Sequence, residues 1–209
     1  MDRRSLLLLG MAAALLAACG RKPPKAAPLP AGARVLALGD SLTHGQGAAP
    51  DAAWPARLAA LTGWSVVNAG VNGDTAAGAQ ERLAGLLAAE RYDAVLVGIG
   101  GNDMLRGVPR AQTVEALRAL LRQARAHTAH VGLLATPEPT ALRAAIGRLA
   151  DAPFYAELAQ EEGVLLLPGL YAAVLSEPAL RSDTIHANAA GYGRIAEGVA
   201  ELLRNAGWR

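Results

Sequence analysis

From Arg34 onward, short continuous apolar runs alternate with stretches of helical periodicity. Residues 35–38, 65–68, 94–99, 131–134 and 164–167 have the length of strands, and 94–99 is the cleanest continuous run of a strand buried on both faces. Between them the period changes. Trp54-Pro55 opens a helix with proline in the first turn and Leu58 and Leu61 on one face. Asp74-Thr75 can cap a helix that carries Leu83, Leu86 and Leu87 at i, i+3, i+4. A third helix is predicted over 112–126, with Val114, Leu117 and Leu121 inward and Arg118, Arg122 and Arg125 on a solvated face. A fourth covers 140–162, broken near Pro153 and stopped by Gly163. The last, over 189–204, sets Tyr192, Ile195, Val199 and Leu202 along one stripe. Five strands separated by helices imply an α/β fold, a three-layer α/β/α sandwich around a parallel sheet with right-handed crossovers. Spacing alone leaves the strand order open.

The pattern before Arg34 is different. Arg3-Arg4 precede an apolar stretch over 6–18, which is too short at about 13 residues to span a bilayer and has the layout of a secretory signal. It ends in Leu16-Ala17-Ala18-Cys19, which resembles a bacterial lipobox. The chain has one cysteine, and it stands at this cut. Residues 1–18 are therefore expected to be a lipoprotein signal peptide, with Cys19 lipidated. Residues 19–33 contain Pro23, Pro24, Pro28 and Pro30 and read as a tether reaching about 35 Å at most. The folded domain is expected over 34–209. That layout predicts a protein on the periplasmic face of a bacterial envelope, attached to a membrane by a lipid anchor at Cys19.

Composition narrows the function classes. At 52% hydrophobic residues the chain is not disordered, and a formal charge of +2 with no basic–aromatic cluster argues against nucleic acid. A lone cysteine excludes an internal disulfide and a thiolate metal cage. No clustered ligand spacing suggests a metal. Gly45-Gln46-Gly47 fails as a dinucleotide fingerprint, because the second strand ends in Asn68-Ala69 without the acidic residue that holds a ribose. No cofactor is expected.

The candidate chemistry sits where strands end. Ligands of open α/β sheets bind at the carboxyl ends of the strands. The first such loop carries Gly39-Asp40-Ser41-Leu42. The second carries Asn72-Gly73-Asp74-Thr75, and the third Gly100-Gly101-Asn102-Asp103. The last, before the final helix, carries Asp183-Thr184-Ile185-His186. Ser41 alone could be a helix cap. With the other loops it can be a nucleophile: His186 as base, Asp183 fixing the imidazole, and the Ser41 and Gly73 N–H groups with the Asn102 amide as oxyanion donors. Asp40 and Asp103 are read as turn-bonding residues and His44 as a residue of the pocket rim. His127 and His130 are read as surface residues at the wrong edge of the sheet, and Trp54 and Trp64 as packing residues.

These four blocks, in this order, resemble those of the SGNH (GDSL) hydrolase family over essentially the whole of 34–209. The Asn72-Gly73-Asp74-Thr75 stretch and the Asp183-to-Asn188 stretch are similar to the arylesterase/thioesterase I/lysophospholipase L1 type. The resemblance implies a flavodoxin-like fold and a serine esterase acting through an acyl-enzyme. The family nucleophile falls on Ser41, the oxyanion donors on Gly73 and Asn102, and the Asp–His pair on Asp183 and His186. Ala187 departs from the pattern, since proline commonly follows the histidine, and this puts local loop rigidity in question. The expected substrate is a small-molecule acyl or aryl ester, a lysophospholipid or a thioester, and the expected state is monomeric. The alternatives are a carbohydrate O-acetyl esterase, disfavoured by only 4% aromatic residues, and a non-catalytic envelope binding lipoprotein.

Overall fold

The computed structural model describes residues 27–139 and 148–209. Cys19, the signal segment and most of the tether lie outside the described residues, as does the start of the helix expected over 140–162. Five strands, β1 (Arg34–Gly39), β2 (Ser65–Gly70), β3 (Ala94–Gly98), β4 (His130–Leu134) and β5 (Leu165–Leu167), form one sheet in the order β2-β1-β3-β4-β5. Every neighbouring pair is parallel. The expected three-layer α/β/α sandwich is what the chain forms, and the reversal of strand order between β1 and β3 supplies the crevice that spacing alone could not locate.

Alternation along the strands builds two cores. Val35 and Ala37 of β1, with Ala94 and Leu96 of β3, face α2 (Trp54–Thr62), α7 (Leu170–Ser176) and α8 (Ala189–Asn205). Leu36, Leu38, Val95 and Val97 face α3 (Ala76–Ala89), α5 (Arg110–His127) and α6 (Phe154–Glu162). All of these strand residues are fully buried, which is why the strands read as unbroken apolar runs.

The arginine line on α5 is solvated as expected at Arg122 and Arg125, which are exposed, yet it also reaches across to α6. Arg118 and Arg122 pair with Glu162, a buried carboxylate on α6, and Arg125 donates to the Glu162 carbonyl at 2.6 Å. The line is the seam between two helices. The start of the domain also moves. Leu29 donates to the Trp208 carbonyl at 2.8 Å and packs on the first core, His130 meets the Ala27 carbonyl at 2.6 Å, and Ala33 is buried. The end of the proline-rich segment is thus part of the fold, upstream of Arg34.

Close backbone approach sets the position of α1 (Ser41–His44). It crosses the end of β2 so tightly that a Cβ at Gly70 would strike the backbone of Thr43 and His44. Gly70→Ala is therefore expected to displace α1, lowering kcat more than tenfold and stability by about 1–3 kcal/mol. Urea unfolding beside ester kinetics measures both.

Candidate active site

Ser41 begins α1 directly after β1. The Asp40 side chain caps that turn, its Oδ1 accepting from the Leu42 N–H at 2.9 Å, and Gly45 closes it in a left-handed conformation. The hydroxyl of Ser41 is thereby lifted to the carboxyl edge of the sheet. His186 arrives from the loop before α8, its Nε2 3.0 Å from Ser41 Oγ. Its Nδ1 lies 2.8 Å from Asp183 Oδ2. The other Asp183 oxygen accepts from the N–H groups of Ile185 and His186, both at 2.8 Å. Partial burial pushes the Asp183 carboxyl up, but the His186 ring and these two N–H groups together outweigh it and hold it below the usual carboxylate range.

This loop is rigid without the missing proline. Ala187 is fully buried and bridges Arg181, and Ser182 N–H donates to the His186 carbonyl at 3.0 Å. Asn188 both caps α8, accepting from Gly191 N–H at 3.0 Å, and ties back to the Ala179 carbonyl at 2.8 Å. Backbone pairing supplies the stiffness that a ring at 187 would give.

The second and third loops are locked together beside Ser41. Asn102, in the first turn of α4 (Gly101–Leu105), donates one amide hydrogen to the Asp74 carbonyl at 2.9 Å. Arg106 holds the Gly73 carbonyl at 2.7 Å, and Arg82 binds both Asp74 Oδ2 at 2.8 Å and the Gly39 carbonyl at 2.9 Å. Gly73 takes φ +76, a backbone that glycine accepts freely. Among the described residues, neither the Ser41 nor the Gly73 N–H donates to another group. Two free N–H groups and one free amide hydrogen are the equipment needed to meet an oxyanion.

Asp40 bonds backbone in its own turn, as expected, whereas Asp103 bonds backbone across to another loop. Asp103 is buried and accepts from the Ala76 N–H at 3.0 Å, which anchors α3 to α4. Burial pushes the Asp40 carboxyl up to about 7, helped by the charges of Asp74 and Asp103 and opposed by the Leu42 N–H and His186. His44 is exposed on α1 and does not line the cleft, so the rim placement was wrong. His127 accepts from the Tyr92 N–H at 3.0 Å, and His130 packs edge-on against Trp208. Both are half-buried bonding residues at the amino edge and not free surface. Trp54 and Trp64 are core residues.

Sequence reasoning missed the cleft wall. Beside Ser41 and His186 the cleft is lined by Leu42, Leu105, Leu149, Leu175 and Ile185, together with Pro137 and Pro139. The segment after β4 is pinned by Glu138 N–H to the Ala150 carbonyl and Leu149 N–H to Ser176 Oγ, at 3.0 and 2.9 Å. Leu170-Tyr171 and Val174-Leu175 are spaced at i, i+4, a signal that could have revealed α7.

A family model described as GDSL-like lipase/acylhydrolase matches residues 37–194. The chain belongs to that family. It is a serine hydrolase of the SGNH/GDSL type acting on ester bonds. Thioesterase 1/protease 1/lysophospholipase L1 of Escherichia coli (strain K12) is 38% identical over 178 residues, covering 81% of this chain and 83% of the relative. Esterase TesA of Pseudomonas aeruginosa is 32% identical over 176 residues, with 81% and 87% covered. A crystal structure of TesA has a TM-score of 0.72 at 32% identity, covering 83% of this chain and 99% of that one.

The raised Asp40 carboxyl makes stability depend on pH. Its stabilising contribution is complete below the unfolded value of 3.8 and is lost as pH rises through about 7. Across that window the wild type is expected to lose on the order of 4 kcal/mol relative to Asp40→Asn. Urea unfolding of both proteins between pH 4 and 8 measures the difference.

Proposed function

We propose that this hydrolase cleaves carboxylic esters of short to medium acyl chains, aryl esters and lysophospholipids, through an acyl-enzyme on Ser41. The observation that carries the reading is the unbroken chain of contacts from Ser41 Oγ through His186 to Asp183. Ser41 Oγ attacks the carbonyl carbon while its proton passes to His186 Nε2. Asp183 on Nδ1 stabilises the imidazolium so formed. The Ser41 and Gly73 N–H groups and the Asn102 amide meet the oxyanion. The C–O bond to the leaving group then breaks, and His186 returns the proton to the departing alkoxide. Water, deprotonated by the same imidazole, cleaves the acyl-enzyme and restores Ser41.

The wall supports the substrate class. Its aliphatic and proline side chains suit a hydrocarbon chain, and among the described residues no Phe, Tyr or Trp lines the cleft to stack on a sugar ring. That favours acyl esters over O-acetylated carbohydrate. The names of the relatives include thioesterase and lysophospholipase activities, and a thioester is attacked by the same steps. We further propose the envelope placement, with Cys19 acylated and the domain tethered to a membrane. Its support is the basic–apolar–lipobox pattern before residue 20. A monomeric state completes the proposal.

Ser41→Ala is expected to lower kcat on p-nitrophenyl acetate at least a thousandfold with the unfolding midpoint unchanged. A fluorophosphonate probe should label the wild type at Ser41 alone. Turnover by Ser41→Ala within tenfold of wild type would overturn the assignment. On a chain-length series of p-nitrophenyl esters, kcat/KM is expected to rise from acetate to a medium chain, about tenfold for two added methylenes buried in the cleft. A preference for acetate on a sugar would overturn the acyl-chain reading. Mass spectrometry of the mature N-terminal peptide from the native host should find acyl chains on Cys19.

A further inference from the structure

The residue next to the nucleophile has a half-used side chain. Asp40 is buried at 3% exposure, yet it forms part of the cleft surface beside Ser41. One oxygen, Oδ1, accepts from the Leu42 N–H. The other, Oδ2, accepts no hydrogen bond among the described residues. It points across the cleft floor toward the turn that carries Asn102, and a Cβ placed on Gly101 would lie 3.6 Å from it. A cap needs only one oxygen, and serine or asparagine would supply it. The second oxygen is left without a protein partner, on the cleft surface beside the turn that carries the oxyanion donor Asn102.

Its surroundings disfavour charge. Asp74 and Asp103 face it from the second and third loops, and both are carboxylates. The phenols of Tyr155, Tyr171 and Tyr192 face it from α6, α7 and α8. Arg82 is engaged by Asp74 and the Gly39 carbonyl. The Leu42 N–H on Oδ1 and the nearby His186 are the groups that favour the anion. During attack, however, the imidazolium is already matched by Asp183 on its other nitrogen. The new negative charge that Asp40 meets is the oxyanion.

We propose that Asp40 is a positioning residue of the ester hydrolysis: its carboxyl shapes the serine turn through Oδ1, and it admits an oxyanion beside Asn102 only while Oδ2 carries the proton. This rests on the assignment of Ser41 as nucleophile and Asn102 as oxyanion donor. Ionised Asp40 adds a second negative charge to a recess built for one. The like-charge repulsion lowers the rate on the alkaline side by roughly tenfold or more. The alkaline limb of the profile then belongs to Asp40.

The test is kcat/KM for p-nitrophenyl acetate from pH 5 to 10, in wild type and Asp40→Asn. Asparagine keeps the Oδ1 acceptor and carries no charge at any pH. The wild type should rise as His186 loses its proton and then fall about tenfold. Asp40→Asn should rise and stay on a plateau. A uniform loss at every pH would mark a purely structural cap, and an alkaline limb that survives in Asp40→Asn would place it on another group. Either result overturns the proposal. Should Asp40→Asn fail to fold, Asp40→Ser offers the other neutral cap. In the wild type, the carboxyl carbon shift of Asp40 followed by NMR must move across the same pH range as the alkaline limb, and ionisation completed below pH 5 would overturn the proposal. Fluorophosphonate labelling of Ser41 in both variants keeps the outcomes apart. Labelled enzyme with an unchanged profile defeats only the role of Asp40, and absence of label in the wild type defeats the assignment of the nucleophile.

Discussion

A 3.0 Å contact joins Ser41 and His186 across 145 residues of chain, and the rest of the structure serves that distance. Neither residue can be moved toward the other by its own loop. Ser41 is held by the end of β1, a central strand buried on both faces, and His186 by a loop stapled to the start of α8. The two elements meet because α8 packs on the same face of the sheet as α2, filling the core with Tyr192, Ile195 and Val199. Tyr192 adds a direct strut, its hydroxyl donating to the Gln46 carbonyl at 2.7 Å just beyond α1. Local precision at the site is thus a product of burial far from it.

The two edges of the sheet have separate work. At the carboxyl edge, glycines at 39, 70 and 98 remove side chains where α1 and the strands crowd, and four loops converge. At the amino edge, Ala27, Leu29, His130 and Trp208 clasp the incoming chain against the C-terminus. The histidines there are fixed by bonds to backbone and by an aromatic edge. The one histidine able to take a proton from Ser41 is the one whose second nitrogen meets a carboxylate.

The layers and the chemistry were legible because they depend on period and on residue type. The apolar runs of the central strands announced burial on both faces, and the first three catalytic blocks follow closely on the ends of β1, β2 and β3. What stayed hidden depends on contacts between distant segments. The pairing of Arg118 and Arg122 with Glu162 is invisible until α6 is brought beside α5. Ala187 looks like a lost constraint until the bridge to Arg181 is seen. The helices α1 and α4 are too short for a period to register, and the cleft wall draws on Leu105, Leu149 and Leu175 from three unrelated segments. Leu29 reads as a tether residue because one apolar side chain among prolines carries no pattern.

Electrostatics explains why the site tolerates so many carboxylates. Asp183 lies at the surface, where two N–H groups and the imidazole keep it charged. Asp74 is neutralised by Arg82, and Asp103 is consumed as an acceptor for Ala76. Each of these acids has a partner suited to an anion. Asp40 has a single backbone N–H, a buried setting and acidic neighbours, so its charge is the one the fold resists. The apolar wall that suits an acyl chain lies beside Asp40. Substrate binding and the raised Asp40 carboxyl therefore share one physical setting, the buried apolar floor of the cleft beside Ser41.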